Sequence, residues 1–252
     1  MGGKANKRRY FLRQMIDNVL SSYEIENEDE KEDISEFENK LEEEYFREFI
    51  NFAGHKAVIL DLACGSGRHT LQLSRNAKAV IAFDLSQNNI KIAKQECFER
   101  KNIIFIEGSM FELPFPSNFF DGVWFSQAFE YVPPDKRETM LNSLNNILKP
   151  SGVLYISVET WLHPNIWISL KNLYRNFKFF AYWKFVKKKP LLWGEFLYPI
   201  GFGDNRDEYA GWHYHVHTDK WTLCRLLDKC KFMIEKINLH DGYIYVLCRK
   251  VK

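Results

Sequence analysis

Asp61-Leu62-Ala63-Cys64-Gly65-Ser66-Gly67-Arg68-His69-Thr70 contains the turn that decides the fold, where the apolar run over residues 56–63 ends and a helical stretch begins. Two glycines just past a strand let the backbone pass close to a ligand, and the following helix offers unpaired N–H groups there. A dinucleotide-binding turn would have a third glycine where this chain has Thr70. The turn therefore predicts a ligand site but disfavours close packing against a pyrophosphate.

Two carboxylates accompany this turn. Asp61 lies just before it and is placed to hydrogen-bond a cationic group such as an amine. Asp84 ends the second predicted strand in Phe83-Asp84-Leu85-Ser86, 17 residues after Gly67. A carboxylate at that point can accept hydrogen bonds from both hydroxyls of a ribose. The alternative is that Asp84 only caps the helix that begins at Ser86.

Strands and helices alternate along the rest of the chain. Repeated βα units with continuous apolar strands imply a parallel sheet that is covered on both faces. An Asp-Gly turn at 240–242 predicts that the last two strands are antiparallel neighbours. The predicted strands are 56–63, 79–83, 103–106, 122–125, 153–158, 232–239 and 243–248, and the predicted helices include one from about Ser86, 135–148 and 218–229.

Two segments stand outside this alternation. Residues 24–44 carry twelve acidic residues and two lysines, so their first half is predicted to be a solvated loop, and a helix with one apolar face follows from Phe37. Residues 161–189 carry nine aromatic and seven basic residues and no acidic one, which indicates an inserted cap. The expected division is an N-terminal segment 1–50, a core 51–160, a cap 161–217 and a C-terminal segment 218–252.

Composition narrows the class of protein. The 252 residues include 35 basic and 33 acidic ones, and 46% are hydrophobic, which excludes a disordered chain, a collagen and a small disulfide scaffold. Five cysteines without a CxxC pair argue against a disulfide framework and a zinc site. We therefore expect no bound metal and a cytoplasmic location. No uncharged apolar run reaches eighteen residues, so no transmembrane segment is predicted.

Further motifs occur in order after the glycine turn and Asp84. They are Gly108-Ser109-Met110-Phe111-Glu112-Leu113-Pro114-Phe115, Phe120-Asp121-Gly122-Val123 and Leu148-Lys149-Pro150-Ser151-Gly152-Val153. Over about residues 57–160 and the terminal strands, the chain resembles the class I S-adenosylmethionine-dependent methyltransferase family. The resemblance implies an α/β fold with a doubly wound, mostly parallel, seven-stranded Rossmann-like sheet, and S-adenosylmethionine as cofactor.

The resemblance also implies positions for the cofactor. Asp84 would hold the ribose and Leu85 would lie against the adenine. Ser109 and Met110 would contact the adenine edge, although an acidic residue is commoner in the family where this chain has Ser109. Ser126 and Gln127 would approach the methionine amine and the sulfonium. The remaining positions surround the methionine part: Asp61, Ala63, Cys64, Gly65 and Gly67.

Candidate catalytic residues follow the predicted strands at the carboxyl edge of the sheet. Methyl transfer is an in-line displacement, so a base is needed only where the acceptor must lose a proton. Among the candidates, Glu130 and Glu159 could instead be hydrogen-bonded loop carboxylates. The alternating histidines of residues 213–217 could bind a metal or make ordinary polar contacts. The candidates are Glu130, Tyr131, Glu159, His163, and His213 and His215 of His213-Tyr214-His215-Val216-His217.

Three hypotheses remain for the cap. It is a lid over the substrate, a surface that grips RNA through aromatic stacking and Lys187–Lys189, or a surface for an anionic membrane. The acidic N-terminal stretch offers those lysines an internal partner. Residues 212–226 faintly resemble the tRNA wobble-uridine branch of the family. The expected function is methylation of a small molecule, with tRNA methylation and a non-catalytic nucleotide-binding paralogue as alternatives, and the oligomeric state is left open.

Overall fold

The computed structural model describes residues 7–8, 10–11, 37, 39–200 and 211–251, without the side chains of 198–200 and 211–213. The predicted acidic loop lies outside these residues. The helices are α1 (Lys40–Ala53), α2 (Arg68–Asn76), α3 (Gln87–Glu96), α4 (Arg137–Ile147), α5 (Ile166–Ala181) and α6 (Lys220–Lys229). The strands are β1 (Val58–Leu62), β2 (Ala79–Asp84), β3 (Ile103–Glu107), β4 (Phe120–Phe125), β5 (Leu148–Glu159), β6 (Glu195–Ile200), β7 (Gly211–Val216), β8 (Phe232–His240) and β9 (Tyr243–Lys250).

Seven strands form one sheet in the order β3-β2-β1-β4-β5-β9-β8. Strands β1 to β5 pair in parallel, whereas β9 is antiparallel to both β5 and β8. The predicted doubly wound, mostly parallel, seven-stranded sheet is therefore confirmed. All parallel strands point their carboxyl ends to the same edge, which is where ligands bind in such sheets.

Two details of the sequence prediction are wrong. Strand β3 is not covered on both faces, because it forms the edge of the sheet and leaves Ile104 57% exposed. Strand β5 begins at Leu148, five residues before the predicted start, since Leu148 already pairs with Phe120. Residues 149–152, between the predicted helix and the predicted strand, thus belong to the strand.

Local sequence explains several element boundaries. The Ser86 hydroxyl accepts a hydrogen bond from the Asn89 N–H and so caps α3, as predicted. Asn39 and Asp219 cap α1 and α6 in the same way. In the β8–β9 hairpin, Asp241 and Gly242 have φ angles of 45° and 79°, the left-handed conformation that a tight Asp-Gly turn requires.

The sheet is covered on both faces near its centre. On one face α1 packs Tyr45 and Phe49 against the sheet, and Trp124 of β4 stacks on Tyr155 of β5 with ring centres 3.7 Å apart. The opposite face carries the larger core, which includes Phe125, Phe129 and residues of α4 and α6. Helix α1 thereby reaches the carboxyl edge of β1 and β4.

The cap, residues 161–217, consists of α5, one π-helical turn (Tyr182–Val186) and the β6–β7 hairpin in its described parts. Its small core is formed by Phe11, Leu191, Leu197, Tyr214 and Val216. Glu195, which is fully buried, accepts hydrogen bonds from Tyr214 at 2.6 Å and from Arg8 at 2.6 Å, and Arg8 also contacts Asp135 at 2.7 Å. These bonds fasten the cap hairpin to the core. Within the described ranges, no helix is long and apolar enough to span a bilayer.

Candidate active site

The turn after β1 has three residues in the left-handed region: Ala63, Gly65 and Gly67, with φ angles of 56°, 53° and 93°. A Cβ on Gly67 would lie 2.9 Å from the Cβ of Ala93, so this glycine allows α2 and α3 to pack closely. A Cβ on Gly65 would meet nothing within 4 Å, so its backbone borders open space. Cys64, between Ala63 and Gly65, is buried, and burial raises the pKa of its thiol well above the usual value.

Asp84 joins this turn to the end of β2. Its Oδ2 accepts a hydrogen bond from the Gly65 N–H at 2.9 Å, and its Oδ1 accepts one from the Ser86 N–H at 2.8 Å. Burial raises the pKa of this carboxyl, although those hydrogen bonds oppose the effect. The Asn89 side chain and the Leu85 backbone also hydrogen-bond this carboxylate. A fixed carboxylate therefore stands beside the open face of Gly65. Asp84 therefore contacts both Ser86 at the start of α3 and Gly65 in the turn after β1.

Asp61 is a second buried carboxylate in the same crevice. It is 2% exposed and accepts a hydrogen bond from the Thr70 hydroxyl at 2.6 Å. Burial raises its pKa to about 6, and the negative charge of Asp84 adds to the increase, while His69 and Thr70 oppose it. Two acidic groups that disfavour each other's ionisation are best satisfied by a cationic ligand with hydroxyl or ammonium donors.

Glu42 of α1, which was not among the residues predicted from the sequence, is buried at this edge with 1% exposure. Its Oε1 lies 3.2 Å from His69 Nε2 and accepts a hydrogen bond from the Ser126 hydroxyl at 3.1 Å. Ser157 in turn lies 3.0 Å from the Ser126 hydroxyl and accepts from the Gln127 N–H at 2.9 Å. A signal existed, because Glu42 falls three and seven residues before apolar, core-facing positions of α1.

The residues expected near the adenine lie after β2 and β3. Leu85 is 40% exposed, so a flat ring can cover it. Met110 packs against the main core, and the Ser109 hydroxyl accepts a hydrogen bond from the Phe111 N–H at 3.3 Å. Phe111 itself is 39% exposed. Leu85 and Phe111 thus present apolar surface that a bound base would remove from water.

A second polar group forms where β5 meets the cap. Glu159 Oε2 lies 2.8 Å from His215 Nδ1 and 3.1 Å from His217 Nε2. Burial would raise the pKa of Glu159, but the hydrogen bonds and positive charge of the two histidines outweigh it and place the pKa well below its usual value. The Tyr131 ring meets the His215 ring edge-on at 5.0 Å. The structure thus brings together Tyr131, Glu159 and His215, with His217 in addition.

Two other predicted catalytic residues, Glu130 and His163, make different contacts. Glu130 is buried, and its charge is among those that help keep the buried guanidinium of Arg137 protonated. His163 accepts a hydrogen bond from the Asn165 N–H at 2.9 Å just before α5, which makes it part of the helix start. The side chain of His213 lies outside the described residues. Over residues 39–200 and 214–251, no cluster of His, Cys, Asp and Glu suits a metal ion.

Comparison with known proteins identifies the fold and the cofactor. A family model described as a methyltransferase domain matches residues 60–156. A demethylmenaquinone methyltransferase of Staphylococcus saprophyticus is 30% identical over 195 residues, which are 75% of this chain and 75% of that protein. The chain belongs to the S-adenosylmethionine-dependent methyltransferase family. This methyltransferase takes S-adenosylmethionine as its cofactor.

Further comparisons agree with this assignment. The ubiquinone/menaquinone biosynthesis C-methyltransferase UbiE of Wigglesworthia glossinidia brevipalpis is 28% identical over 250 residues, covering 96% of this methyltransferase and 92% of that protein. A solved methyltransferase structure from Methanosarcina mazei shares the fold with a TM-score of 0.64 at 20% identity, over 80% of this chain and 95% of that chain. A complex of DhpI with SAH gives the same TM-score at 19% identity, over 95% and 98%.

The crevice of this methyltransferase fits that cofactor chemically. S-adenosylmethionine carries a sulfonium, an ammonium, two ribose hydroxyls and an adenine. The site offers a matching feature for each of these groups. These features are the open space beside Gly65, the carboxylates of Asp61 and Asp84, and the exposed apolar side chain of Leu85. Glu42 adds a third buried acidic group at the same edge.

Proposed function

We propose that this methyltransferase transfers a methyl group to a ring carbon of a small hydroxylated aromatic acceptor, of the class to which the hydroquinone form of demethylmenaquinone belongs. The names of the relatives support this acceptor class. The observation that carries the proposal is the Glu159–His215 pair at the carboxyl end of β5, because hydroxyarene methylation at carbon benefits from a base that removes the hydroxyl proton.

The pair is suited to proton transfer. Glu159 remains a carboxylate because its pKa lies well below the usual value, and it accepts a hydrogen bond from the His215 Nδ1–H. This bond selects the tautomer in which Nε2 is the basic nitrogen. The edge-on contact with Tyr131 restrains the ring plane. His215 is thereby the proposed general base, and Glu159 is the residue that orients it.

The donor side of the site binds and orients. S-adenosylmethionine supplies a methyl group on positively charged sulfur and leaves as a neutral thioether. With this cofactor bound, Asp84 would hold the ribose hydroxyls, Asp61 and Glu42 would balance the ammonium, and Leu85 would cover the adenine. Because the displacement is in line, this fixed placement contributes mainly by aligning the reacting atoms and excluding water.

The proposed reaction conserves atoms and protons. His215 takes the proton of the acceptor hydroxyl, which makes the neighbouring ring carbon nucleophilic. A bond forms between that carbon and the methyl group as the sulfur–methyl bond breaks. The ring carbon then loses its own hydrogen to solvent as a proton, and the oxygen regains a proton from His215. The net products are the methylated hydroquinone, the thioether and one proton.

The cap offers one further group to the acceptor. Asn176 of α5 is 3% exposed, and its side-chain nitrogen has no hydrogen-bond partner among the described residues. It lies one turn before Phe179, which packs on Phe196, and the Phe196 ring lies 4.5 Å from that of His217. A buried amide left without a partner costs about 1 to 3 kcal/mol. A second acceptor oxygen would satisfy it, so we assign Asn176 to acceptor positioning.

The experiment uses the reduced form of a demethylmenaquinone with a shortened side chain, together with S-adenosylmethionine labelled in the methyl group. We expect label on the ring carbon beside a hydroxyl, and a product whose mass rises by one labelled methyl group in place of one hydrogen. Label on a hydroxyl oxygen, or no transfer while transfer RNA becomes labelled, would overturn the acceptor assignment. In the latter case the tRNA alternative would replace it.

A further inference from the structure

Helix α5 of the cap has an unusual distribution of side chains. Its two buried residues are polar, Ser169 and Asn176, which lie seven positions apart and therefore on one face. The Ser169 hydroxyl donates to the His163 carbonyl at 2.9 Å, which secures the start of the helix. A helix that only served to fill the cap would bury its apolar side chains instead. Phe179 and Phe180 of α5 pack on the cap core, but its other apolar side chains are left for another partner.

The opposite face of α5 is apolar and exposed. Trp167 is 76% exposed and Tyr174 is 65% exposed. Together with Leu170 and Phe177, which are also exposed, they recur every three or four residues along the helix. The exposed surface continues through the π-helical turn, where Phe185 is 70% exposed. We call this the cap surface, and its apolar members are Ile166, Trp167, Leu170, Tyr174, Phe177, Tyr182, Phe185 and Val186.

The stretch of sequence that carries the cap surface has charges of one sign. No acidic residue occurs between Glu159 and Glu195, whereas the same stretch has seven lysines and arginines. Lys178 Nζ lies 5.5 Å from the centre of the Tyr174 ring, and Lys187 Nζ lies 5.6 Å from that of Tyr182. Ammonium groups are thus placed directly beside exposed aromatic rings. This combination requires an anionic partner with an apolar interior.

Two other hypotheses for the cap explain less. A lid would turn its aromatics toward the substrate, and Phe179, Phe180 and Phe196 do pack inside the cap. The residues of the cap surface stay 46–76% exposed, although the Phe185 ring touches that of Phe180 and the Tyr182 ring touches that of Trp183. An RNA surface would use the lysines and the flat rings, yet it gives no reason for the aliphatic members Ile166, Leu170 and Val186 to be exposed. A lipid surface accounts for the basic, aromatic and aliphatic groups together.

We propose that the cap surface docks on an anionic lipid bilayer, with the apolar face of α5 inserted among the headgroups and the lysines against the lipid phosphates. An amphipathic helix with Trp, Phe and Leu on one side and Lys and Arg beside them binds in this way. Negative surface charge attracts each nearby lysine, and the attraction decreases within a Debye length. This inference does not depend on the proposed acceptor.

The test measures binding of the full chain to vesicles by sedimentation. One set contains an equimolar mixture of phosphatidylcholine and phosphatidylglycerol, and the other contains phosphatidylcholine alone. We expect binding to the first set only, weakened by salt. Trp167→Ser with Phe185→Ser removes two insertion groups, and Lys187→Gln with Lys188→Gln and Lys189→Gln removes three charges. Each set should weaken binding by about tenfold or more.

Matched controls come from another part of the surface. Phe98→Ser removes an aromatic ring with 77% exposure outside the cap. Lys91→Gln, Lys94→Gln and Lys101→Gln remove three exposed charges near α3. Both controls should bind vesicles as the wild type does. All variants should keep the wild-type affinity for S-adenosylmethionine, so a loss of vesicle binding is distinguishable from a failure of the cofactor site.

Several outcomes would overturn the inference. These are absence of binding to the anionic vesicles, and equal weakening by the cap and control variants. Tight, salt-dependent binding of tRNA that the lysine variant weakens, without vesicle binding, would make the cap surface an RNA site. A dimer in sedimentation velocity that Trp167→Ser dissociates, again without vesicle binding, would make it an interface with a second copy of the chain.

Discussion

The cofactor end and the acceptor end of this methyltransferase site are built in different ways. At the cofactor end, Asp84 of β2 contacts the Gly65 N–H in the turn after β1, over a separation of 19 residues. At the acceptor end, the side chain of His215 reaches that of Glu159 over 56 residues, beside a hydrogen bond from the Thr218 N–H to the Glu159 carbonyl at 3.0 Å. The first is a rigid feature of the βα unit, and the second depends on how the cap is fastened. Variants should therefore separate affinity for the cofactor from the rate of transfer.

The largest expected effect is on the acceptor end. His215→Ala removes the proposed base, so we expect turnover at saturating substrates to fall about 10²- to 10⁴-fold. The affinity for S-adenosylmethionine should not change, since His215 contacts Glu159 and Tyr131. His240→Ala, at an exposed histidine of the β8–β9 hairpin, is the control and should leave turnover intact. If the turnover of His215→Ala stays within threefold of wild type, a change of about 0.6 kcal/mol in activation free energy, His215 is not the catalytic base.

The next effect sharpens the cofactor end. Asp84→Ala removes charge-assisted hydrogen bonds of about 1.5 to 3 kcal/mol each, so calorimetry should give at least about tenfold weaker binding of S-adenosylmethionine. Asp121→Ala is the matched control, because Asp121 also accepts a backbone hydrogen bond, from Val58 at 2.8 Å, but lies at the start of β4. The control should keep its affinity. If Asp84→Ala binds as tightly as the wild type, the ribose lies elsewhere.

A smaller effect concerns stability. The pKa of Asp61 is about 6 in the folded protein and about 3.9 in an unfolded chain. Because the pKa is raised in the folded state, the protonated carboxyl favours folding. The contribution of Asp61 to the free energy of unfolding is therefore highest below about pH 4 and is lost as the pH rises to about 6. At neutral pH, Asp61→Asn should stabilise the cofactor-free protein by about 2 kcal/mol in urea unfolding, while weakening cofactor binding. A stability gain that persists unchanged at about pH 4 would contradict this assignment.

The smallest predicted effect is the pH dependence of cofactor binding. A cationic ligand requires the Asp61 carboxylate, so affinity for S-adenosylmethionine should fall as pH drops below about 6, by up to about tenfold per pH unit. Asp61→Asn should show weaker but nearly constant affinity over the same range. Titration calorimetry from about pH 5 to about pH 8, which is roughly one unit below to two units above the raised pKa, measures both profiles. A flat wild-type profile would exclude Asp61 as a partner of the cation.

The sequence predicted the turn after β1 and the place of Asp84 at the end of β2 because that information is local. The left-handed positions, the strand ends and the capping Ser86 follow from residues within one βα unit. Glu42 was missed because it lies in a strongly acidic stretch, where one buried acid is distinguishable only by its place on the apolar face of α1. His217 was noted only as part of an alternating pattern. That both histidines share Glu159 depends on the pairing of β6 with β7 and on the cap's attachment.

The cap shows what a sequence cannot give. Nine aromatics in residues 161–189 indicated a segment with its own packing, but they did not tell which rings point inward. Phe179 and Phe180 face the cap core, whereas Trp167 and Phe185 face solvent. The decisive feature, burial of Ser169 and Asn176, runs against the rule that apolar residues lie inside. Only tertiary contacts reveal such an exception.

A double-mutant cycle of Asp84→Ala and His215→Ala tests the separation of the two ends most directly. Affinity for S-adenosylmethionine and turnover at saturation are measured on the wild type, both single variants and the double variant. We predict that Asp84→Ala changes the affinity and that His215→Ala changes the turnover. For each of these two quantities, the change in the double variant should equal the sum of the changes in the single variants within about 0.5 kcal/mol. If either substitution lowers both quantities together, or if the losses do not add, the two ends act as one unit and the account is wrong.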